Sequence, residues 1–118
     1  MFNNAIASWR AVVAAPIMKA ERTDATVIVH TESGYGVAVA EVGPPTSKRP
    51  ALGIWFSPDA KWTARTFEAA SCRMLGHVLG LDLTDTPGQL MTRDSKLKSS
   101  PVTPQEEDVR RVRALWPA

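Results

Sequence analysis

The sequence predicts a small α+β domain that contains three helices and a small mixed sheet. Three observations favour this class. Apolar runs separated by Gly- and Pro-rich turns fill residues 17–57, a segment with helical periodicity lies on either side of them, and a capping pattern marks the last helix. A chain of 118 residues can bury one hydrophobic core but not two, so we expect a single domain over 1–118.

The first helix is expected to run to about Ala14, with Asn3 or Asn4 as its cap and Pro16 at its end. Its apolar residues fall on one side and are predicted to face the core: Ile6, Trp9, Val12 and Val13.

The middle of the chain is expected to form strands over 17–23, 25–31, 37–42 and 51–57, because these segments are rich in β-branched and other apolar residues. The turn ESGYG separates the second strand from the third. The Pro-rich loop GPPTSKRP separates the third strand from the fourth.

The C-terminal half is expected to contain a second helix over about 63–79 and an irregular loop over 82–100. A third helix is expected over 104–116. The sequence TPQE has the pattern of a capping box, which predicts Thr103, Pro104 and Glu106 at the positions N-cap, N1 and N3. An inward apolar stripe is expected to follow, formed by Val109, Val112 and either Leu115 or Trp116.

The composition excludes several classes of protein. The chain is 44% apolar and 22% charged with a net charge of +2, values typical of a globular domain. A single cysteine, Cys72, excludes an internal disulfide bond. No stretch approaches the roughly 20 apolar residues of a membrane span, and the N-terminal segment lacks the basic start of a signal peptide. We therefore expect a cytoplasmic protein, or part of a particle assembled there, without a membrane partner.

Basic residues are concentrated in two predicted loops, 47–50 and 93–98. Neither loop contains an aromatic platform or a nucleic-acid recognition motif, so solvated loops are the favoured interpretation. We therefore do not expect a nucleic-acid partner.

The segment CRMLGHVLGLDLTDTPGQLM, residues 72–91, is similar to the zinc site of the metzincin proteases and of their matrixin branch in particular. Those enzymes carry HExxHxxGxxH followed by a Met-turn. The positions of that motif fall, in order, on Arg73, Met74, His77, Gly80 and Leu83. The sequence TDTPGQLM resembles the matrixin approach to the Met-turn and places Met91 at the turn methionine.

The likeness extends to the segments FSPDAKWT, TPQEEDVRRVRALW and AIASWRAV, and so covers most of the chain. It implies a zincin-like fold with an active-site-like helix over about 63–79, a Met-turn-like loop over 82–100 and a C-terminal helix over 104–116.

The residues at the motif positions nevertheless predict a vestigial site. A catalytic zinc needs three imidazole, thiolate or carboxylate donors. Arg73 has no lone pair and stays protonated, while Leu83 has no donor at all. Met74 replaces the general base of the family. We therefore expect neither zinc nor catalysis.

Two alternatives keep a chemical role for neighbouring residues. His77 and Asp85, with water, would hold a metal weakly, and the domain would then be a zinc metalloendopeptidase with unorthodox ligands. Cys72 or Ser71 as a nucleophile is disfavoured, because each points roughly 120° to 140° away from His77 around a helix.

Arg73 and His77 share a helical face at spacing i, i+4. We predict that the Arg73 guanidinium fills the space of the missing metal, with Asp82 or Asp85 as its carboxylate partner. A charge-assisted hydrogen bond would then replace the metal in joining helix and loop.

In matrixins the substrate lies extended along an edge strand and is held by main-chain hydrogen bonds, a mode of binding that requires no metal. The corresponding edge is expected in residues 36–42 or 51–56. The resemblance thus implies a non-catalytic pseudoprotease domain that acts as a protein-binding or structural assembly module. A component of a larger particle such as a phage is one example.

Overall fold

The computed structural model describes residues 2–13, 27–34, 36–44, 46, 52–93 and 96–116. Its elements are, in chain order, α1 (Phe2–Arg10), β1 (Val27–Thr31), β2 (Ala38–Ala40), β3 (Leu52–Phe56), α2 (Ala64–Val78) and α3 (Glu106–Leu115). The predicted α+β class is confirmed, with three helices and a mixed three-stranded sheet among the described residues. The strand predicted over 17–23 and Pro16 lie outside those residues. Helix α1 already ends at Arg10, so the prediction that it runs to about Ala14 is wrong.

The sheet has β3 in its centre, with β1 parallel on one side and β2 antiparallel on the other. Ile54 of β3 accordingly pairs with Val29 of β1 and with Ala40 of β2. The expectation that 51–56 might supply a free edge is wrong, since β3 forms ladder hydrogen bonds on both sides. The other candidate, 36–42, contains the edge strand β2.

The core lies between the sheet and the helices. Leu52, Ile54 and Phe56 alternate along β3, so they share one face of the sheet, and all three are buried. The Phe56 ring lies 4.8 Å from the ring of Phe67 on α2, measured between centroids. Trp9 of α1 is fully buried and donates from Nε1 to the Cys72 carbonyl oxygen at 2.8 Å. This bond fixes α1 against α2.

Helix α1 begins at Phe2, so Asn3 and Asn4 lie inside its first turn and the prediction that one of them caps the helix is wrong. The predicted apolar side is confirmed. Trp9 and Val13 are buried, and the half-buried Ile6 and Val12 pack against the core.

Helix α2 begins one residue after Thr63, which is its N-cap. The Thr63 hydroxyl accepts from the Thr66 backbone N–H at 3.1 Å, and the Thr66 hydroxyl accepts from the Thr63 N–H at 3.0 Å. This reciprocal pair satisfies two backbone donors that would otherwise lack partners. At the other end, Gly80 has a φ of +111°, which suits glycine and turns the chain away from the helix axis.

Helix α3 begins at Glu106, and its N-cap is Gln105 rather than the predicted Thr103. The Asp108 carboxylate accepts from the Gln105 backbone N–H at 2.8 Å and so takes the role predicted for Glu106. Of the predicted inward stripe, Val112 is fully buried and Trp116 donates from Nε1 to the Leu79 carbonyl oxygen at 2.9 Å. Val109, its other predicted member, is only half-buried. Leu115 is exposed, so Trp116 is the correct alternative.

Candidate functional site

His77 lies near the C-terminal end of α2, where its Nδ1 is 2.9 Å from the Leu81 carbonyl oxygen. A carbonyl oxygen only accepts, so we infer that Nδ1 carries the proton and that Nε2 keeps its lone pair. Burial lowers the pKa of His77, and the charge of Arg73 adds to that effect against the raising effect of the Leu81 bond. The imidazole is therefore neutral at pH 7, in the orientation that metal-binding histidines adopt.

Arg73 lies one helical turn before His77 and is half-buried. Its Nη2 donates to the Thr92 carbonyl oxygen at 3.2 Å, so the guanidinium joins α2 to the loop that follows. Burial lowers the pKa of Arg73, and the negative charge of Asp108 opposes this effect. An arginine stays protonated under such conditions, so a fixed positive charge sits at the first ligand position of the resembled motif.

The two acidic residues predicted as partners of Arg73 have other contacts. The exposed Asp85 accepts from Nε of Arg93 at 3.1 Å. The Asp82 carboxylate accepts from the Leu83 backbone N–H at 2.8 Å, and its charge raises the pKa of His77. The structure thus gives Arg73 a loop partner of a different kind, a backbone carbonyl, while the carboxylate that acts on its pKa is Asp108.

The loop after α2 packs tightly against the helix through Met91, which is fully buried. A Cβ atom at Gly76 would lie 2.7 Å from the Met91 sulfur and 3.0 Å from the Trp9 ring. Only a residue without a side chain therefore lets the loop approach α2 this closely. Met91 therefore lies against the helix that carries His77.

Asp108 holds this loop from the other side. Its carboxylate is fully buried and accepts from the backbone N–H groups of Leu90 at 2.7 Å and Met91 at 3.2 Å, in addition to Gln105. The sequence reasoning missed this role. Gln105 and Asp108 have the spacing of a capping box, two residues after the predicted box of Thr103 and Glu106. This spacing is the feature of the sequence that could have indicated the role of Asp108.

The residues present do not fit a catalytic zinc ion. Met74 is buried in the core, and the half-buried Leu83 offers no donor. Within the described ranges, no group of three or more His, Cys, Asp and Glu side chains is arranged to hold a metal. The nearby charge of Arg73 would in addition repel a dication at Nε2 of His77. The absence of zinc remains a prediction that only a binding measurement tests.

Cys72 and Ser71 are both fully buried on α2. Burial raises the pKa of the Cys72 thiol to about 12, with Asp108 and Glu68 adding to the shift. The thiol is therefore protonated at neutral pH, and only a thiolate is an effective nucleophile. This geometry favours a packing role for Cys72.

The chain that follows the edge strand β2 is bonded to α2. The Gly43 backbone N–H, which lies beyond the end of β2 at Ala40, donates to the His77 carbonyl oxygen at 2.8 Å. On either side of β2, the Val37 carbonyl oxygen accepts from the Ser57 backbone N–H and the Glu41 N–H donates to the Gly53 carbonyl oxygen. The odd-numbered residues thus face β3, so the backbone groups of the even-numbered residues point outward.

In the described part of the chain, no further strand pairs with the outward side of β2. Three valines around this edge are substantially exposed, with relative accessibilities of 52% for Val37, 38% for Val39 and 43% for Val42. An exposed apolar edge is suited to binding an extended chain.

No protein-family model matches this chain, and no curated protein sequence matches it. None of the described helices has the length and apolar character needed to cross a membrane. The metzincin resemblance accordingly rests on the motif residues and remains a prediction.

Proposed function

We propose that this chain is a metzincin-like pseudoprotease domain of matrixin type. It binds an extended segment of a protein partner at the β2 edge and acts as a binding or assembly module without catalysis. The observation that carries the proposal is the position of Arg73, whose guanidinium joins α2 to the Thr92 carbonyl where the resembled motif has a zinc ligand.

Several features support the zincin-like part of the proposal. The helix that carries His77 ends in a turn at a glycine with positive φ, and the loop that follows brings a buried methionine back against the same helix. An antiparallel edge strand lies beside the central strand, and Gly43 in the chain that follows it donates to the His77 carbonyl oxygen. The resemblance implies an active-site-like helix, a glycine after it, a turn methionine and an edge strand.

The non-catalytic part of the proposal is supported by the chemistry of the side chains. A metalloprotease needs a metal to polarise the scissile carbonyl and a base to activate water. Met74 has a thioether in place of that base and cannot take up a proton from water. Arg73 provides a positive charge but, unlike a metal ion, cannot bind a water molecule and a substrate carbonyl as ligands. Neither residue supplies the missing chemistry.

The binding part of the proposal is supported by the outward side of β2, which no strand in the described ranges covers. Strand addition uses main-chain hydrogen bonds for affinity and side-chain pockets for specificity. The outward N–H and C=O groups of Ala38 and Ala40 supply main-chain hydrogen bonds, and the exposed valines supply apolar contact. This mode of binding is independent of a metal. Assembly into a larger particle such as a phage would use the same surface.

The test is the metal content of the purified protein by mass spectrometry, followed by calorimetric titration with zinc. We expect no stoichiometric metal and no binding tighter than roughly millimolar. A zinc ion held tightly, one per chain, and lost in a His77→Ala variant would overturn the proposal.

One observation favours a second candidate function, a zinc metalloendopeptidase with unorthodox ligands. His77 has its Nδ1 bonded to the Leu81 carbonyl oxygen, which leaves Nε2 available as a ligand. The same zinc titration distinguishes the two candidates. Tight binding would direct attention to Asp85 as the second ligand and to assays of peptide cleavage.

A further inference from the structure

We propose that the β2 edge binds a second copy of this chain, with the two β2 strands antiparallel across a two-fold axis at Val39. This inference rests on the proposed function, since it names the occupant of the same edge. Two three-stranded sheets would thereby join into one sheet of six strands.

The hydrogen-bonding groups of β2 are self-complementary. Ala38 and Ala40 direct their backbone N–H and C=O groups outward, whereas Val39 directs its own toward β3. A two-fold axis at Val39 sets Ala38 of one copy opposite Ala40 of the other, and the reverse. Four hydrogen bonds then form, and every outward group of β2 has a partner. Closed two-fold dimers are the commonest oligomers, because one patch serves both subunits.

The edge lacks the usual protection against such pairing. Natural edge strands are guarded by lysine, by proline or by a charged side chain that an added strand would cover. Residues 36–42 contain neither lysine nor proline, and their single charged residue is Glu41. The Glu41 carboxylate accepts from the Gly53 backbone N–H at 2.9 Å, so its charge is directed back into its own sheet.

Charge also selects the register. An axis at Glu41 would set two carboxylates directly opposite each other, which is unfavourable. An axis at Val39 instead sets each Glu41 opposite Val37 of the other copy and separates the two carboxylates by about four residues, or roughly 13 Å along the strand. Identical strands are thus compatible in charge only when the axis lies away from Glu41.

The exposed valines supply the apolar contact. Val39 lies on the outer face of the sheet, and the axis brings its side chain against the same side chain of the second copy. Such β-branched cross-strand pairs stabilise an antiparallel sheet. With only three residues in β2, the pairing is short, and we expect a weak dimer that forms at high protein concentration.

The experiment is disulfide trapping with a Val39→Cys variant of the full chain. Residues opposite each other in a non-hydrogen-bonded antiparallel pair have Cα atoms about 4.5 Å apart, within the range of a disulfide bond. The native Cys72 is fully buried and contributes no background. The matched control is Val29→Cys, which places an equally accessible thiol, at 46% exposure for the native valine, on β1 at the opposite side of the sheet.

We expect mild oxidation to convert Val39→Cys largely to a covalent dimer, with at least tenfold less dimer from Val29→Cys at equal concentration. Sedimentation of the unmodified protein should show a dimer that dissociates on dilution. A Val39→Asp variant should weaken the dimer at least tenfold, while Val29→Asp should not, because only the first sets two carboxylates across the axis.

Equal trapping of the two cysteine variants, or a monomer at all concentrations of the unmodified protein, would overturn the inference. Either result would indicate that the β2 edge binds a segment of another protein rather than a second copy. The zinc titration, which tests the proposed function, does not depend on this outcome. Failure of this inference is therefore distinguishable from failure of the proposed function.

Discussion

Arg73 and His77 lie one turn apart on α2, and burial acts on both side chains. Loss of hydration disfavours the charged form of each group, and the pKa of both is lowered. The consequence differs between them, because arginine starts from so high a pKa that it keeps its charge, whereas histidine becomes neutral. The pair therefore presents one fixed cation and one neutral imidazole at pH 7.

A residue-scale prediction concerns the pH dependence of stability. The folded-state pKa of His77 lies below its ordinary value of 6.5. The unfolded chain therefore binds more protons than the folded chain as the pH falls below about 6.5, so His77 makes stability decrease in that window. We expect a His77→Gln variant to show a shallower loss of unfolding free energy from pH 7 to 5, measured by urea denaturation. An unchanged slope would show that His77 titrates normally.

A second residue-scale prediction concerns Gly76. Helix propensity alone predicts that Gly76→Ala stabilises α2 by about 1 kcal/mol. The Met91 sulfur and the Trp9 ring leave no room for a methyl group, so we expect a loss of about 1–3 kcal/mol instead. Chemical denaturation measures the difference. A stabilised variant would mean that Met91 does not pack against α2 as described.

At the scale of elements, the N-terminus of α3 and the Met91 loop are held by one side chain, Asp108. We expect Asp108→Asn to lower the unfolding free energy by about 1–3 kcal/mol, because a single amide oxygen cannot serve three buried N–H groups. The matched control is Thr103→Ala. Thr103 is exposed and outside the cap, so we expect a change below about 0.5 kcal/mol. A larger loss of unfolding free energy in Thr103→Ala than in Asp108→Asn would instead indicate that Thr103 caps the helix.

The elements also show what the sequence was able to predict. Local patterns located all three helices and the strands of the described residues, because periodicity and turn residues act over a few positions. The N-cap of α3 was predicted at the wrong residue, because Thr103 and Glu106 match the capping-box spacing as well as Gln105 and Asp108 do. Only the loop contacts of Asp108, 17 and 18 residues away in the chain, decide between the two.

The candidate site was predictable to a similar extent. The motif spacing indicated that Arg73 and His77 share a face of α2, and it placed Met91 in the loop that follows. It did not indicate that the Thr92 carbonyl oxygen receives the Arg73 hydrogen bond, because backbone acceptors leave no trace in a sequence. The sequence limited the candidate edge strand to two segments, 36–42 and 51–56. The order of strands in the sheet, a long-range property, excludes the second because β3 lies in the centre.

At the scale of the whole molecule, we propose a zinc-protease scaffold from which the chemistry has been removed by a few substitutions. The α+β architecture, the β2 edge, which no strand of the described residues covers, and the buried Met91 are compatible with this proposal. If the scaffold is retained, restoring the side chains of the resembled motif should restore the metal site, because ligand positions are set by the backbone.

The most direct measurement is therefore zinc titration calorimetry of the unmodified protein beside a triple variant, Arg73→His, Met74→Glu and Leu83→His, after circular dichroism shows that both are folded. The account predicts one zinc ion per chain, bound at micromolar concentration or tighter (about −8 kcal/mol), in the triple variant and no comparable binding in the unmodified protein. A folded triple variant that binds no zinc would contradict the zincin-like geometry. Tight binding by the unmodified protein would contradict the claim that the site has lost its metal.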